Sequence, residues 1–145
     1  MPGPTADSSA RRQATFAPDP SSARLARLVV EEALRAAAVP SGAIADALLV
    51  LGEMVSNAIR HARTDFTVCT EISGGAIRLE VLDHDTRPPM LMGIDPASTS
   101  GRGLRMVSAV AADWGWNPAQ DGGDSGKVVW ATVLFDSGTR GERGG

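Results

Sequence analysis

The sequence holds a single cysteine, Cys69, so no intrachain disulfide can form. Its two histidines do not stand with that thiol at zinc-ligand spacing. Basic charge is not in excess. The 14 Lys and Arg against 17 Asp and Glu give a formal charge of −3, and no long basic run occurs, so the electrostatic footprint of a nucleic-acid binder is missing. No apolar run approaches the roughly 20 residues that span a bilayer. Arg11 and Arg12 are followed by no apolar stretch, so a signal peptide is not expected either. There is no internal repeat. These absences lead to the expectation of a soluble, cytoplasmic protein that touches neither nucleic acid nor membrane directly.

What is present is an ordinary globular composition, 43% hydrophobic over 145 residues, which favours one domain able to bury a core without staples. Residues 1–13 and 136–145 are rich in small, polar and turn-forming residues and are expected to be disordered tails. The folded part is expected over residues 14–135. Asp19-Pro20-Ser21-Ser22 signals a helix start. Leu25, Leu28, Val29 and Leu34 follow at helical spacing, out to about Ala37. After the break at Val39-Pro40-Ser41-Gly42, a second and longer helix capped by Ser41 is expected to reach about Ala62. Phe66 to Ile72 and Ala76 to Asp83 alternate as strands, and Ser73-Gly74-Gly75 between them predicts a hairpin. Residues 86–100 carry Pro88, Pro89, Gly93 and Pro96 and no periodicity, the pattern of a lid or binding loop. Gly101-Arg102-Gly103 leads into a third helix from Leu104 through Ala111. A turn-rich stretch around Asn117 to Gly126 precedes a last strand, Val128 to Phe135. This order predicts an α+β fold in two layers, with a mixed, mostly antiparallel sheet and three helices on one face.

Three pieces carry candidate chemistry. On the second helix, Ile44, Leu48, Leu51, Val55, Ile59 and Ala62 form an apolar stripe, and Glu53, Asn57 and Arg60 lie across from it. One reading is a solvated polar face. The other is a functional pair, in which Asn57 offers a carbonyl oxygen to Mg²⁺ and Glu53 accepts a proton from an attacking hydroxyl. Asp83 has the parity of Ile77, Leu79 and Val81, and therefore points to the apolar face unless the strand end turns to solvent. A buried carboxylate needs donors, which a ligand's exocyclic amino group can supply. Asp85 shares that parity. Gly101 and Gly103 at a loop-to-helix junction fit either a hinge or a phosphate cradle, with Arg102 as a further phosphate contact. His61, His84, Cys69 and the tryptophans read as local packing or surface groups.

The order of these pieces carries a resemblance. Leu51-Gly52-Glu53-Met54-Val55-Ser56-Asn57-Ala58-Ile59-Arg60-His61-Ala62 resembles the asparagine box of the Bergerat-fold ATPases, in the form found in the anti-sigma-factor serine kinase branch. Val81-Leu82-Asp83-His84-Asp85, followed by Pro88-Pro89, resembles that branch's first adenine-binding box, and Gly101-Arg102-Gly103-Leu104 its second glycine box. Gly126-Lys127-Val128-Val129-Trp130 resembles its last strand motif. Ser22, Arg24 and Leu25 also fit the start of its first helix. The Ala- and Arg-rich composition resembles actinobacterial members. The resemblance implies ATP and Mg²⁺ as cofactors, Glu53 as catalytic base and Asn57 as metal ligand. It implies Asp83 on the adenine amino group, with Asp85 and Arg60 in the same nucleotide site, and Gly101, Arg102, Gly103 and Leu104 at the phosphates. It implies a sigma factor and an anti-sigma antagonist as partners, and a homodimer as a common assembly.

Two departures stand out. The glycines that usually follow the aspartate of the first box are replaced by Asp85-Thr86-Arg87-Pro88-Pro89, which stiffens the adenine-side loop. A threonine often found after the final glycine is missing, with Lys127 and Val128 there instead. The resemblance therefore implies a serine protein kinase, with an ATP-binding anti-sigma module lacking turnover as the alternative. A histidine-kinase catalytic domain acting in trans and a plain ATPase are further readings, since no phosphoacceptor domain fits ahead of residue 14.

Overall fold

The computed structural model describes residues 10–87, 110–119 and 126–136. The chain opens with strand β1 (Ala10–Phe16), followed by helix α1 (Pro20–Ala36) and helix α2 (Ser41–Asn57), which runs on as a single π-helical turn, Ala58–Ala62. Strands β2 (Phe66–Ser73), β3 (Ala76–Asp83), β4 (Asp113–Pro118) and β5 (Lys127–Leu134) complete a five-stranded sheet in the order β1-β2-β3-β5-β4. Every strand pair among the described residues is antiparallel, so the expected mixed character of the sheet is not found there. The two-layer α+β sandwich is. Helix α1 covers β1 and β2, and α2 covers β3 and β5.

The hairpin forms where the alternation places it. Gly74 and Gly75 both take positive φ, 56° and 82°, in the two-residue turn. Ile77, Leu79, Val81 and Asp83 face the helices along β3, matched across β5 by Val129, Ala131 and Val133. The core between the layers is built from these residues, Phe66, Val68 and Ile72 of β2, and Leu34, Val50, Leu51, Met54 and Val55 of the helices. Burying each large aliphatic side chain contributes roughly 1.5–3 kcal/mol. On the outer face, the Arg78 guanidinium lies 4.5 Å from the centroid of the Trp130 ring, which itself covers Gly115 of β4.

Four expectations are corrected. First, β1 begins at Ala10 and so claims residues assigned to the N-terminal tail; its pairing with β2 holds it although most of its side chains are exposed. Second, β4 occupies the stretch read as leading into a turn region. It is an edge strand, where Gly115 and Pro118 are tolerated. Third, α1 buries only part of the expected stripe. Leu25 and Leu28 are 50% and 53% exposed, and the inward face is Ser22, Ala26, Val30, Ala33 and Leu34. The small residues among them, Ser22, Ala26 and Ala33, let α1 lie close to its neighbours. Fourth, Pro40 rather than Ser41 occupies the cap position of α2, with its carbonyl accepting from the Ala43 and Ile44 N–H groups.

Ser41–Ala62 also departs from the expectation that no apolar run is long enough to span a bilayer. Its 22 residues with mean hydropathy 1.4 pass by length and composition alone. Its apolarity is that of a core helix, because α2 is flanked by α1 on one side and the sheet beneath. Residues 1–9, 137–145, most of the expected lid loop, and Gly101, Arg102, Gly103 and Leu104 with most of the third helix lie outside the described residues. Of that helix, Val110 and Ala111 are described and pack against the core.

Candidate functional site

The site forms where the end of α2 meets the ends of β3 and β5. Asn57, the last residue of α2, is 4% exposed. Just beyond it the helix widens. The Arg63 N–H donates to the Ala58 carbonyl at 3.0 Å, five residues back, and Arg63 itself takes a left-handed conformation at φ 58°. Single π turns of this kind are frequent at functional sites because they re-aim the residues around them. Asn57 is buried, Glu53 is only partly buried, and Arg60 is exposed, so the three do not share one outward face as the plain helical spacing predicted. Glu53 instead lines a groove of about 580 Å³ between α1 and α2, together with Arg27, Arg35 and Ser56.

The π turn packs on β3, whose final residue is Asp83. Its parity carries it inward as expected, and it is 1% exposed. What the sequence did not reveal is its partner. Lys127, opposite Asp83 in the β3–β5 register, places its Nζ 3.1 Å from Asp83 Oδ1 and is itself 2% exposed. The same Nζ donates to the Asp85 carbonyl at 3.2 Å, and the Asp85 N–H donates to Asp83 Oδ1 at 2.9 Å. Ion pairing across a strand ladder needs only opposite charges in register, and the signal was available at the departure from threonine. Gly126 precedes this lysine because a Cβ there would collide with the Asp83 carbonyl oxygen.

Asp85 is held in turn by Arg87. Arg87 Nε donates to both carboxylate oxygens at 3.0 Å, and Nη2 donates to Oδ2 at 2.7 Å and to the His61 carbonyl at 3.0 Å. These side-chain hydrogen bonds, with the Arg87 N–H onto Asp85 Oδ1, hold the Asp85 carboxyl down at about 2. Two residues of the run that replaces the glycines, Asp85 and Arg87, thus clamp the start of the loop to the end of the π turn. Around His61 the field is positive. Burial, then Arg60, Arg63, Arg87 and Lys127, lower its pKa from the ordinary value. A cluster of cations beside a buried carboxylate and a buried amide suits a ligand with an amino-bearing ring and an anionic tail.

Residues 16–133 match the histidine kinase-like ATPase domain family. The chain belongs to that family. Among solved structures, this ATPase domain is similar to the RsbU and RsbW domains of Rv1364c from Mycobacterium tuberculosis, with a TM-score of 0.63 and 20% identity. The likeness covers 87% of this chain and 32% of that one, so the ATPase domain spans about a third of the longer protein, and what they share is the fold. No protein of curated function matches it significantly. Of the family residues expected from sequence, Asn57 and Asp83 are buried on elements packed against one another, Asp85 is partly buried beside Asp83, Glu53 is partly buried and lines the groove between α1 and α2, and Arg60 is exposed on the π turn.

Proposed function

We propose that this domain is an ATP- and Mg²⁺-dependent serine protein kinase of the anti-sigma-factor type. It would regulate transcription by partner switching, phosphorylating a serine on an anti-sigma antagonist and sequestering a sigma factor in the cytoplasm. The observation that carries the reading is the buried Asp83 carboxylate packed beside the π turn that follows the buried Asn57 amide. A buried carboxylate needs donors, and Asp83 has two on Oδ1, from Lys127 Nζ and the Asp85 N–H. No described donor reaches Asp83 Oδ2, which leaves that oxygen for the amino group of adenine.

The donor set fits a cation that arrives with the triphosphate. No group of three or more His, Cys, Asp or Glu that would hold a metal unaided occurs among the described residues. Asn57 offers a hard amide oxygen, and Mg²⁺ characteristically takes few protein ligands and completes its shell with phosphates and water. When bound, the ion neutralises charge on the phosphates. Arg60, with Gly101, Arg102, Gly103 and Leu104, would hold the phosphate chain. Glu53, in the groove between α1 and α2, stands where a hydroxyl brought by another protein can reach it. It accepts the proton as the serine oxygen bonds to the γ-phosphorus and ADP departs, a transfer that depends mainly on positioning and charge neutralisation.

The test is calorimetric titration of Mg-ATP paired with phosphotransfer to the antagonist. The expected result is that Glu53→Ala retains ATP binding and loses transfer; full transfer in that variant removes Glu53 as the base. A second reading, an ATP-sensing anti-sigma module without turnover, is favoured by the Asp83–Lys127 pair and the Asp85–Arg87 clamp, which make the base-side loop less adaptable. Tight ATP binding that alters partner affinity, with no transfer by the unaltered protein, selects it.

A further inference from the structure

We propose that Lys127 is a base-reading residue, its ammonium acting with the Asp83 carboxylate as a paired donor and acceptor for the amino-bearing edge of a 6-aminopurine. The inference rests on the nucleotide reading above and assigns a direct role to a residue at which this chain departs from the pattern its motifs resemble.

The argument starts from hydrogen-bond accounting. An ammonium has three N–H donors, and an ionised carboxylate has lone pairs on both oxygens. Lys127 spends one donor on Asp83 Oδ1 and one on the Asp85 carbonyl. Asp83 Oδ1 also takes the Asp85 N–H. Among the described residues, one Lys127 donor and Asp83 Oδ2 are then left, on side chains 2% and 1% exposed. Buried polar groups of this kind are costly when unfilled. A 6-aminopurine presents a complementary pair, since its amino N–H suits Oδ2 and a ring nitrogen next to the amino-bearing carbon, or one bond further on the other side, suits the ammonium.

The cross-strand register fixes the two groups. Asp83 and Lys127 are direct partners on β3 and β5, and Gly126 lets the backbone of β5 reach Asp83 without a side chain between them. A threonine at 127 would offer a short neutral hydroxyl, whereas the lysine brings a charged donor to the carboxylate itself. A 6-oxopurine offers the same donor and acceptor in reverse order, so GTP does not discriminate. Analogues that keep the amino group and lose one ring acceptor do.

The experiment measures affinity of the full chain for Mg²⁺ complexes of ATP, 1-deaza-ATP and 7-deaza-ATP, in the unaltered protein and in Lys127→Thr. The expected result is that one deaza analogue binds about tenfold weaker than ATP to the unaltered protein, the worth of a charge-assisted hydrogen bond, and that this penalty falls below about threefold in Lys127→Thr. Both analogues binding like ATP overturns the proposal. So does a penalty that persists in Lys127→Thr, or a Lys127→Thr that binds ATP tenfold tighter, which makes the lysine a plug. If the variant does not fold, as circular dichroism will show, the analogue comparison in the unaltered protein decides alone. No binding of ATP at all to the unaltered protein is a different failure, and removes the nucleotide reading together with this one.

Discussion

Gly126 lies directly against the backbone of Asp83: a Cβ at position 126 would collide with the Asp83 carbonyl oxygen and stand 3.1 Å from the Cα of His84. The contact is between two backbones, so no side-chain rotamer can relieve it. Gly126→Ala must push β5 away from β3 at the end where Lys127 meets Asp83. Overpacking of this kind costs about 1–3 kcal/mol. We expect a loss of about 2 kcal/mol in urea unfolding and weaker ATP binding. An alanine variant of unchanged midpoint would mean that the strands are not this close in solution.

The Asp83–Lys127 pair makes a stability prediction separate from its role toward a base. Removing one member leaves the other charge buried and uncompensated, which typically costs about 3–5 kcal/mol, whereas replacing both with apolar groups of similar volume is often neutral. Lys127→Met alone is therefore expected to destabilise by about 3 kcal/mol. The double variant Asp83→Leu with Lys127→Met should lose less than Lys127→Met does. Additive losses in the double-mutant cycle would show that the two side chains do not depend on each other.

The elements that sequence periodicity made legible are those with large apolar residues at a clean period. β3 alternates Ile77, Leu79 and Val81, and α2 repeats Ile44, Leu51 and Val55, and both lie as expected. β1 was hidden because Ala10-Arg11-Arg12-Gln13 has no apolar alternation; an edge strand with mostly exposed side chains is specified by its neighbour, here β2. β4 was hidden by Gly115, Asn117 and Pro118, turn formers that an edge position accepts. α1 misled for another reason: Leu25 and Leu28 face out, and the small Ser22, Ala26 and Ala33 face in beside Val30 and Leu34. In the site, parity correctly sent Asp83 inward. Its partner is 44 residues away, a pairing that exists only once β3 and β5 are in register. The differing exposure of Glu53, Asn57 and Arg60 depends on how α2 packs against α1 and the sheet, and Arg60 lies in a π turn, which spacing arguments based on the α period do not contain.

The Arg87 clamp predicts behaviour in acid. Hydrogen bonds from Arg87 hold the Asp85 carboxyl at about 2 in the folded protein, below the ordinary carboxylate range near 4. Because the folded value is the lower one, the contribution to stability is complete above about 4 and is lost as pH falls toward 2. Arg87→Ala should return Asp85 toward its ordinary value and free the His61 carbonyl at the end of the π turn. Carbon-detected NMR titration of the Asp85 carboxyl reads this directly. An Asp85 that still titrates near 2 without Arg87 would locate the cause in the backbone.

His61 provides a probe of where a triphosphate sits. Burial and the charges of Arg60, Arg63, Arg87 and Lys127 lower its pKa from 6.5, so the folded state favours the neutral ring. The unfolded chain takes up the proton at higher pH, and the associated stability is present above about 6.5 and declines as pH falls below it. His61→Gln should flatten the dependence of unfolding free energy on pH between about 5 and 7. Nucleotide acts in the opposite direction. Phosphate oxygens close to these cations cancel part of their repulsion of a protonated imidazole, so saturating Mg-ATP should raise the His61 pKa in a proton NMR titration, and adenosine, which has no phosphates, should not. If Mg-ATP binds and His61 titrates unchanged, the phosphates lie away from the end of the π turn, and Arg60 has no part in holding them.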